Sequence, residues 1–315
     1  MIGPIEHRKN MGRLDWVEKG PGFAVANLWA RTEPMGSPED PRRHIHVEGY
    51  RLARGALSEA HYHKDHYELV LVWSGSGTLL RAVENEDWRV SEHDLKKLDT
   101  ISIPPRTLHQ FKGVGEDPLV LITVHALNGI ALLTIPQQFK DAPGPSPFEI
   151  RNIATIANTR DDNGKLINWE ENKNFRAKRI RVWGREAPKG EGGKVDRIKE
   201  QLQFTLYTFV AGQENPGHFH PHSIELIIAL DGGAFTMIRP KIDDDGWTPE
   251  ANQEQATLDA GDLVLVPLAG WHRYINRSAE RCKVMALQTP HPIMHTLIAE
   301  TDGVFSSAER SEHVV

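Results

Sequence analysis

The chain has 315 residues, 37 Lys plus Arg against 43 Asp plus Glu for a formal net charge of −6, and 39% apolar residues. That is about twice the ~150 residues of a typical domain, apolar enough for a packed core, and too weakly charged to leave an electrostatic footprint for nucleic acid or an anionic membrane. No apolar run approaches the ~20 residues of a membrane helix, and Cys282, the single cysteine, excludes an intrachain disulfide. The first twenty residues carry charges throughout and no apolar h-region, so a soluble, cytoplasmic protein is expected.

In chain order, short apolar runs dominate: ELVLVW (68–73), TISIP (100–104), IELIIAL (224–230) and DLVLVP (262–267), separated by Gly, Pro, Asn and Asp clusters. Acidic hairpin loops are expected near Glu84 to Trp88 and near Asp243 to Trp247. The stretch from about Asp141 to Lys199, with its Gly/Pro-rich ends DAPGPSP and APKGEGGK, reads as a connection that also gives strands to the second half. Within it Arg176, Lys178, Arg179, Arg181 and Arg185 read as a strand face balanced by acidic neighbours, not as a nucleic-acid contact. The best helix candidate is PIMHTLIAE, Pro292 to Glu300. Many short strands with little helix predict an all-β barrel or sandwich.

The strongest signal is a repeat. HYHKDHYELVLVWSG, from His61, and HFHPHSIELIIALDG, from His218, align at a constant offset of 157, and Tyr50 and Gly55 upstream answer to Tyr207 and Gly212. After a six-residue insertion the match resumes at an offset of 163, pairing Asp99, Pro104 and His109 with Asp262, Pro267 and His272. The chain is two copies of one module.

Alternate residues of a strand share a face, so His61 and His63 converge, as do His218 and His220. Glu68 and Glu225 follow each pair at a fixed span, and His109 and His272 end the strands that begin at Asp99 and Asp262. A lone histidine on a strand is ordinarily packed or solvated, but two identical patterns at one offset point to ligation. Three imidazoles and one carboxylate without thiolate suit Fe(II), Mn(II), Ni(II), Co(II) or Zn(II), with open positions left for substrate or oxygen.

Gly55-x5-His61-x-His63-x4-Glu68-x6-Gly75 and Gly212-x5-His218-x-His220-x4-Glu225-x6-Gly232 resemble the first cupin motif, complete in both copies. The second motif, G-x5-P-x-G-x2-H-x3-N, is matched by Gly261, Pro267, His272 and Asn276, with Ala269 at its inner Gly. In the first copy Pro104 and His109 remain, while Leu98, Arg106 and Gly113 occupy the Gly and Asn positions. The chain is thus similar to the bicupins over roughly Val47 to His125 and Phe204 to Gln288. That resemblance implies two double-stranded β-helix (jelly-roll) barrels, expected over residues 1–140 and 141–315, each with a metal at its mouth, so up to two ions per chain.

Alternation from the ligands makes Val70, Val72, Ile227 and Ala229 wall residues and puts Phe111 and Tyr274 on the face of the last histidine of each set. Arg81 and Arg239, on the strand after each first motif, are candidates to bind substrate together with Phe111 and Tyr274. Apolar walls beside an open-sited ion point to an Fe(II)-dependent dioxygenase, an oxidoreductase acting with dioxygen on an aromatic or diketone-like small molecule. The alternative is a redox-neutral lyase, decarboxylase or isomerase, and a third possibility is a non-catalytic binding protein. Among bicupins, oxalate decarboxylases carry an arginine three residues before the first histidine, where this chain has Ser58 and Asn215. A homo-oligomer is expected, since barrel-edge strands pair across subunits, with no nucleic-acid or membrane partner.

Overall fold

The structure is a computed structural model that describes residues 8–29, 45–63, 68–82, 90–103, 107–126, 130–131, 149–172, 177–184, 203–215, 217–219, 224–231, 235–240, 242–243, 246–247, 253–266, 272–289, 294–301 and 304–311. The chain forms two compact units, one of residues 14–33 and 44–159, the other of residues 1–13, 34–43 and 160–315. Among the described residues every strand pairing is antiparallel, and helix is confined to one turn of 3-10 helix, Met11–Arg13, and the six-residue helix Ile153–Asn158.

In the first unit a seven-stranded sheet runs in the order Glu149–Asn152, Asp99–Ile103, Glu68–Ser74, Leu119–Ala126, Ile45–Leu52, Phe23–Trp29, Val17–Gly20. A three-stranded sheet, with Ser76–Ala82 between Leu108–Gly113 and Val90–Lys96, completes the barrel. Val70, Val72, Ile101, Ile103, Leu119 and Leu121 from the large sheet bury against Leu79, Leu95 and Phe111 from the small one. These are alternate residues of each strand, the period-2 pattern that places one face of each sheet in the core.

The second unit repeats this. Its seven-stranded sheet runs Arg8–Asn10, Asp262–Val266, Ile224–Ala229, Cys282–Thr289, Gln203–Phe209, Ala177–Gly184, Glu170–Asn172, with a small sheet of Gln253–Leu258, Phe235–Pro240 and Arg273–Asn276. Its core is Ile227, Ala229, Val264, Val266, Cys282, Val284, Leu258 and Tyr274, which the offsets of 157 and 163 map position for position onto the first core. The two barrels of the sequence reading are therefore both present. Register places Glu170 and Glu171 opposite Arg179 and Lys178, so acidic residues of the neighbouring strand flank the basic run. The acidic hairpin near Asp243 is formed by Ile242–Asp243 pairing with Gly246–Trp247; the one near Glu84 to Trp88 lies outside the described residues.

One expectation fails. Met294–Thr301 is a strand, not a helix: it pairs along its whole length with Val304–Ser311 and also with His218–Phe219. An apolar segment of that length has no decisive period of its own, and a hairpin partner on one side with a barrel strand on the other settles it as β.

The edges of the two large sheets are capped by equivalent pieces from different parts of the chain. Glu149–Asn152, on the C-terminal side of a division at residue 140, pairs with Asp99–Ile103, and Arg8–Asn10 pairs with Asp262–Val266. Asn152 Nδ2 donates to Asp99 Oδ1 at 2.7 Å and Asn10 Nδ2 to Asp262 Oδ1 at 2.8 Å. Each asparagine Oδ1 then accepts from a backbone N–H two or three residues on, Thr155 at 3.0 Å and Gly12 at 2.9 Å, starting the short helix that follows.

The motif position held by Gly261 and Leu98 has the same backbone in both units. Gly261 has φ 85° and Leu98 φ 68°, the one described non-glycine residue in the left-handed region. Each donates its N–H to the wall strand, Gly261 to Ala229 O at 2.9 Å and Leu98 to Val72 O at 2.8 Å. The turn demands this conformation whatever residue fills it, and a side chain there costs about 1–2 kcal/mol. Leu98→Gly should therefore stabilise the protein by about 0.5–1 kcal/mol once glycine's own entropic cost is subtracted, read as a higher denaturation midpoint at unchanged slope.

Candidate metal centres

In the first barrel the ligands are brought together by a two-way backbone bridge: His61 N donates to His109 O at 3.0 Å and His109 N to His61 O at 2.9 Å. His63 follows in the strand Tyr62–His63, and Glu68 opens the wall strand. All four side chains are buried, none more than 3% exposed. Their Nε2 atoms converge on one carboxylate oxygen: Glu68 Oε2 lies 2.7 Å from His109, 3.2 Å from His63 and 3.7 Å from His61. One donor atom from each of the four falls within 4.8 Å of every other.

Backbone carbonyls fix two of the tautomers. His61 Nδ1 donates to Glu59 O at 3.0 Å and His109 Nδ1 to Thr107 O at 2.8 Å. A carbonyl only accepts, so a proton sits on Nδ1 of each ring and Nε2 is turned inward, the arrangement in which metal-binding imidazoles are held. His109 Nε2 then faces Glu68 Oε2 at 2.7 Å without hydrogen-bond geometry. Three imidazoles and a carboxylate gathered this closely form a donor set that fits a divalent ion. Burial would raise the Glu68 pKa, but the imidazoles gathered around it, His109 first and then His125, outweigh burial and hold the carboxyl well below its usual range. Burial lowers His63 to about 4 against the pull of Glu68, so its imidazole is neutral at pH 7.

The second barrel repeats the arrangement. His218 N donates to His272 O at 3.0 Å and His272 N to His218 O at 2.8 Å, and their rings lie 4.2 Å apart. His272 Nε2 is 2.8 Å from Glu225 Oε2, and His218, Glu225 and His272 form one cluster of donor atoms. His220 lies outside the described residues. A small pocket opens beside these ligands, with Asn215, Tyr274 and Gln288 among its polar lining and Ile227, Val284 and Ala286 among its apolar lining.

The substrate candidates fall out unevenly. Phe111 is fully buried with its ring 5.8 Å from that of His109, and Tyr274 lies 5.3 Å from that of His272 in the pocket wall. Arg81 is partly buried and pairs in register with His109, so it stands on the same face of the small sheet; with burial, its charge lowers the pKa of His93. Arg239 pairs with Glu254 by backbone register, and its side chain lies outside the described residues.

Two functions of the site were not read from the sequence. Ser58 and Asn215 are clasps: Ser58 Oγ accepts from Phe111 N at 2.9 Å and Asn215 Oδ1 accepts from Tyr274 N, binding each ligand loop to the strand that carries the last histidine. Behind the glutamates stand His125, its Nε2 4.0 Å from Glu68 Oε1, and Gln288, whose Nε2 donates to Glu225 Oε1 at 2.9 Å. These two are related by the same offset of 163, and that alignment was the available signal.

Residues 50–125 and 205–288 match the cupin domain family. No curated protein matches the chain in sequence. Solved structures do resemble it: a mutant form of the oxalate decarboxylase of Bacillus subtilis at 14% identity and TM-score 0.53, covering 92% of this chain and 78% of that one. A Lactobacillus farciminis oxalate decarboxylase formate complex matches at 14% identity and TM-score 0.53 over 96% and 88%. A further Bacillus subtilis oxalate decarboxylase structure, described for its Mn(II) centres, matches at 14% and TM-score 0.52 over 92% and 78%. At these identities the likeness is one of fold. With the family matched in each half and a carboxylate–imidazole cluster in each barrel, the chain belongs to the cupin family as a bicupin.

Proposed function

We propose that this protein is a metal-dependent lyase that decarboxylates a small carboxylic acid with an apolar body. The observation that carries the reading is the second-barrel pocket, which opens onto His218 and Glu225 of the ligand cluster and offers neutral hydrogen-bond donors within apolar walls. The decarboxylase neighbours of the fold support the same choice over an oxygenase. A dioxygenase is the second reading, favoured by the apolar walls at Val70 and Val72 in the first barrel.

His61, His63, Glu68 and His109 would hold one ion, and His218, His220, Glu225 and His272 the other, with Mn(II) or Fe(II) the proposed metals. A bound ion supplies a Lewis-acid centre that draws electron density from a substrate oxygen. The chain's own residues do the rest. Ile227, Val284 and Ala286 exclude water from the pocket, which strengthens each polar contact within it. Asn215, its Oδ1 committed to the Tyr274 backbone, has its amide Nδ2 left to hold a carboxylate oxygen. Burial, then the Glu225 charge, raises the Tyr274 pKa well above its usual value, so the phenol keeps its proton at neutral pH. That Oη proton is available to the carbon that retains the electron pair as carbon dioxide leaves.

Neither Ser58 nor Asn215 can supply the charge of an arginine, so oxalate, a dianion, is not the expected substrate. The test is to load purified protein with Mn(II) or Fe(II) and assay a panel of small mono- and dicarboxylic acids, catechols and diketones for carbon dioxide release and oxygen uptake. Carbon dioxide from a monocarboxylic acid without stoichiometric oxygen uptake is the expected result. Stoichiometric oxygen uptake would replace it with the dioxygenase, and neither activity in metal-loaded protein would overturn both.

A further inference from the structure

The two barrels are near copies around their ligands, yet they differ directly behind the glutamate. In the second barrel Gln288, register-paired with Glu225, donates its amide N–H to Glu225 Oε1 at 2.9 Å. Oε2 of the same carboxylate faces His272 at 2.8 Å. Tyr274 lines the same pocket as Glu225. Glu225 is therefore held by a neutral amide donor on its outer side, with one oxygen turned to the ligand cluster.

In the first barrel both residues are replaced. The position of Gln288 is His125, paired in register with Glu68, and the position of Tyr274 is Phe111, which has no hydroxyl. His125 Nε2 lies 4.0 Å from Glu68 Oε1, beyond hydrogen-bond reach, and its ring packs on His63 at 4.4 Å. Glu68 Oε1 is buried and makes no hydrogen bond among the described residues.

We infer that Gln288, backed by Tyr274, is a positioning residue that fixes Glu225 as a one-oxygen ligand, whereas Glu68 keeps its second oxygen open to an ion, so the two sites hold the same metal with unequal affinity and coordination. The physical reason is that a carboxylate whose outer oxygen accepts a hydrogen bond cannot rotate that oxygen to the ion without breaking the bond in a buried site. One with an unbonded outer oxygen can use either. The inference rests on metal binding at both clusters.

Titration of metal-free protein with Mn(II) alone, followed by its paramagnetic resonance spectrum, tests it. Wild type is expected to show two resolved steps and two distinct Mn(II) spectra. Gln288→Leu should weaken one step by roughly 10–100-fold, the usual cost of losing a partner behind a ligand, and change the spectrum of that site alone. His125→Gln, which offers Glu68 the same amide donor, should draw the first spectrum toward the second. Should Gln288→Leu not fold, Tyr274→Phe, the residue the first barrel carries at that position, should weaken the same step less strongly. Two ions bound at equal affinity with identical spectra, or variants that leave both spectra unchanged, would overturn the inference while leaving metal binding intact. Protein that binds no Mn(II) would overturn both.

Discussion

The His61→Ala, His218→Ala double variant should lose its metal, falling from two ions per chain toward none by elemental analysis. Each substitution removes an imidazole that belongs to its barrel's donor cluster and whose backbone also forms the bridge to the last histidine. The bridge survives in alanine, so the fold is kept while the donor set drops to three. The affinity loss should exceed the ~10–100-fold typical of partners behind the ligands. A second readout follows from linkage: an ion at about a hundred times its Kd stabilises a native site by about 2.7 kcal/mol. Adding Mn(II) should therefore raise the melting temperature of wild type and leave the double variant unmoved. A variant that keeps two ions, or melts with the same metal-induced shift, would remove these residues from the metal centres.

Gly75→Ala should be among the most damaging single methyl additions in the first barrel. Gly75 has φ 76°, and a Cβ built there would lie 2.2 Å from Pro118 O and 2.9 Å from Leu119 Cα, both backbone atoms that cannot swing away. The left-handed penalty of about 1–2 kcal/mol adds to an overpacking cost of about 1–3 kcal/mol, giving roughly 2–5 kcal/mol. Gly55, at φ 79° but with nothing near its missing Cβ, should carry only the first part. Chemical denaturation of the pair separates the two effects: equal losses would show that the contact with Pro118 relaxes freely. The motif glycine that closes the first ligand segment is thus a packing requirement of the wall strand, with no part in binding the ion.

The duplication was legible because its landmarks are residues with narrow uses. Histidines two apart, a glutamate five on and glycines at turn positions survive at fixed offsets, and the barrels, the cores and the convergence of His61, His63, Glu68 and His109 follow from them. His125 and Gln288 were not found because they close the apolar runs LVLITVHA and CKVMALQT, where strand alternation gives no reason to single out a polar residue. The strand Arg8–Asn10 was missed because RKN has no apolar residue to set a period, and only the free edge of the second sheet explains it. Met294–Thr301 misled for the opposite reason: its apolar residues satisfy either period, and the partners that choose between them lie elsewhere in the chain.

Those capping strands make the two modules unequal as pieces of a gene. The first barrel draws its outermost strand from residues that follow it directly, so residues 14–33 and 44–159 carry it together with its cap. The second draws its cap from near residue 10, 252 positions before the aspartate it binds. An excised C-terminal half would present the bare backbone of Asp262–Val266, an open edge of the kind that recruits strands from other molecules. During synthesis these early residues must wait for a strand made much later, so the duplication yields one module that is severable and one that is complete only when both halves have been made.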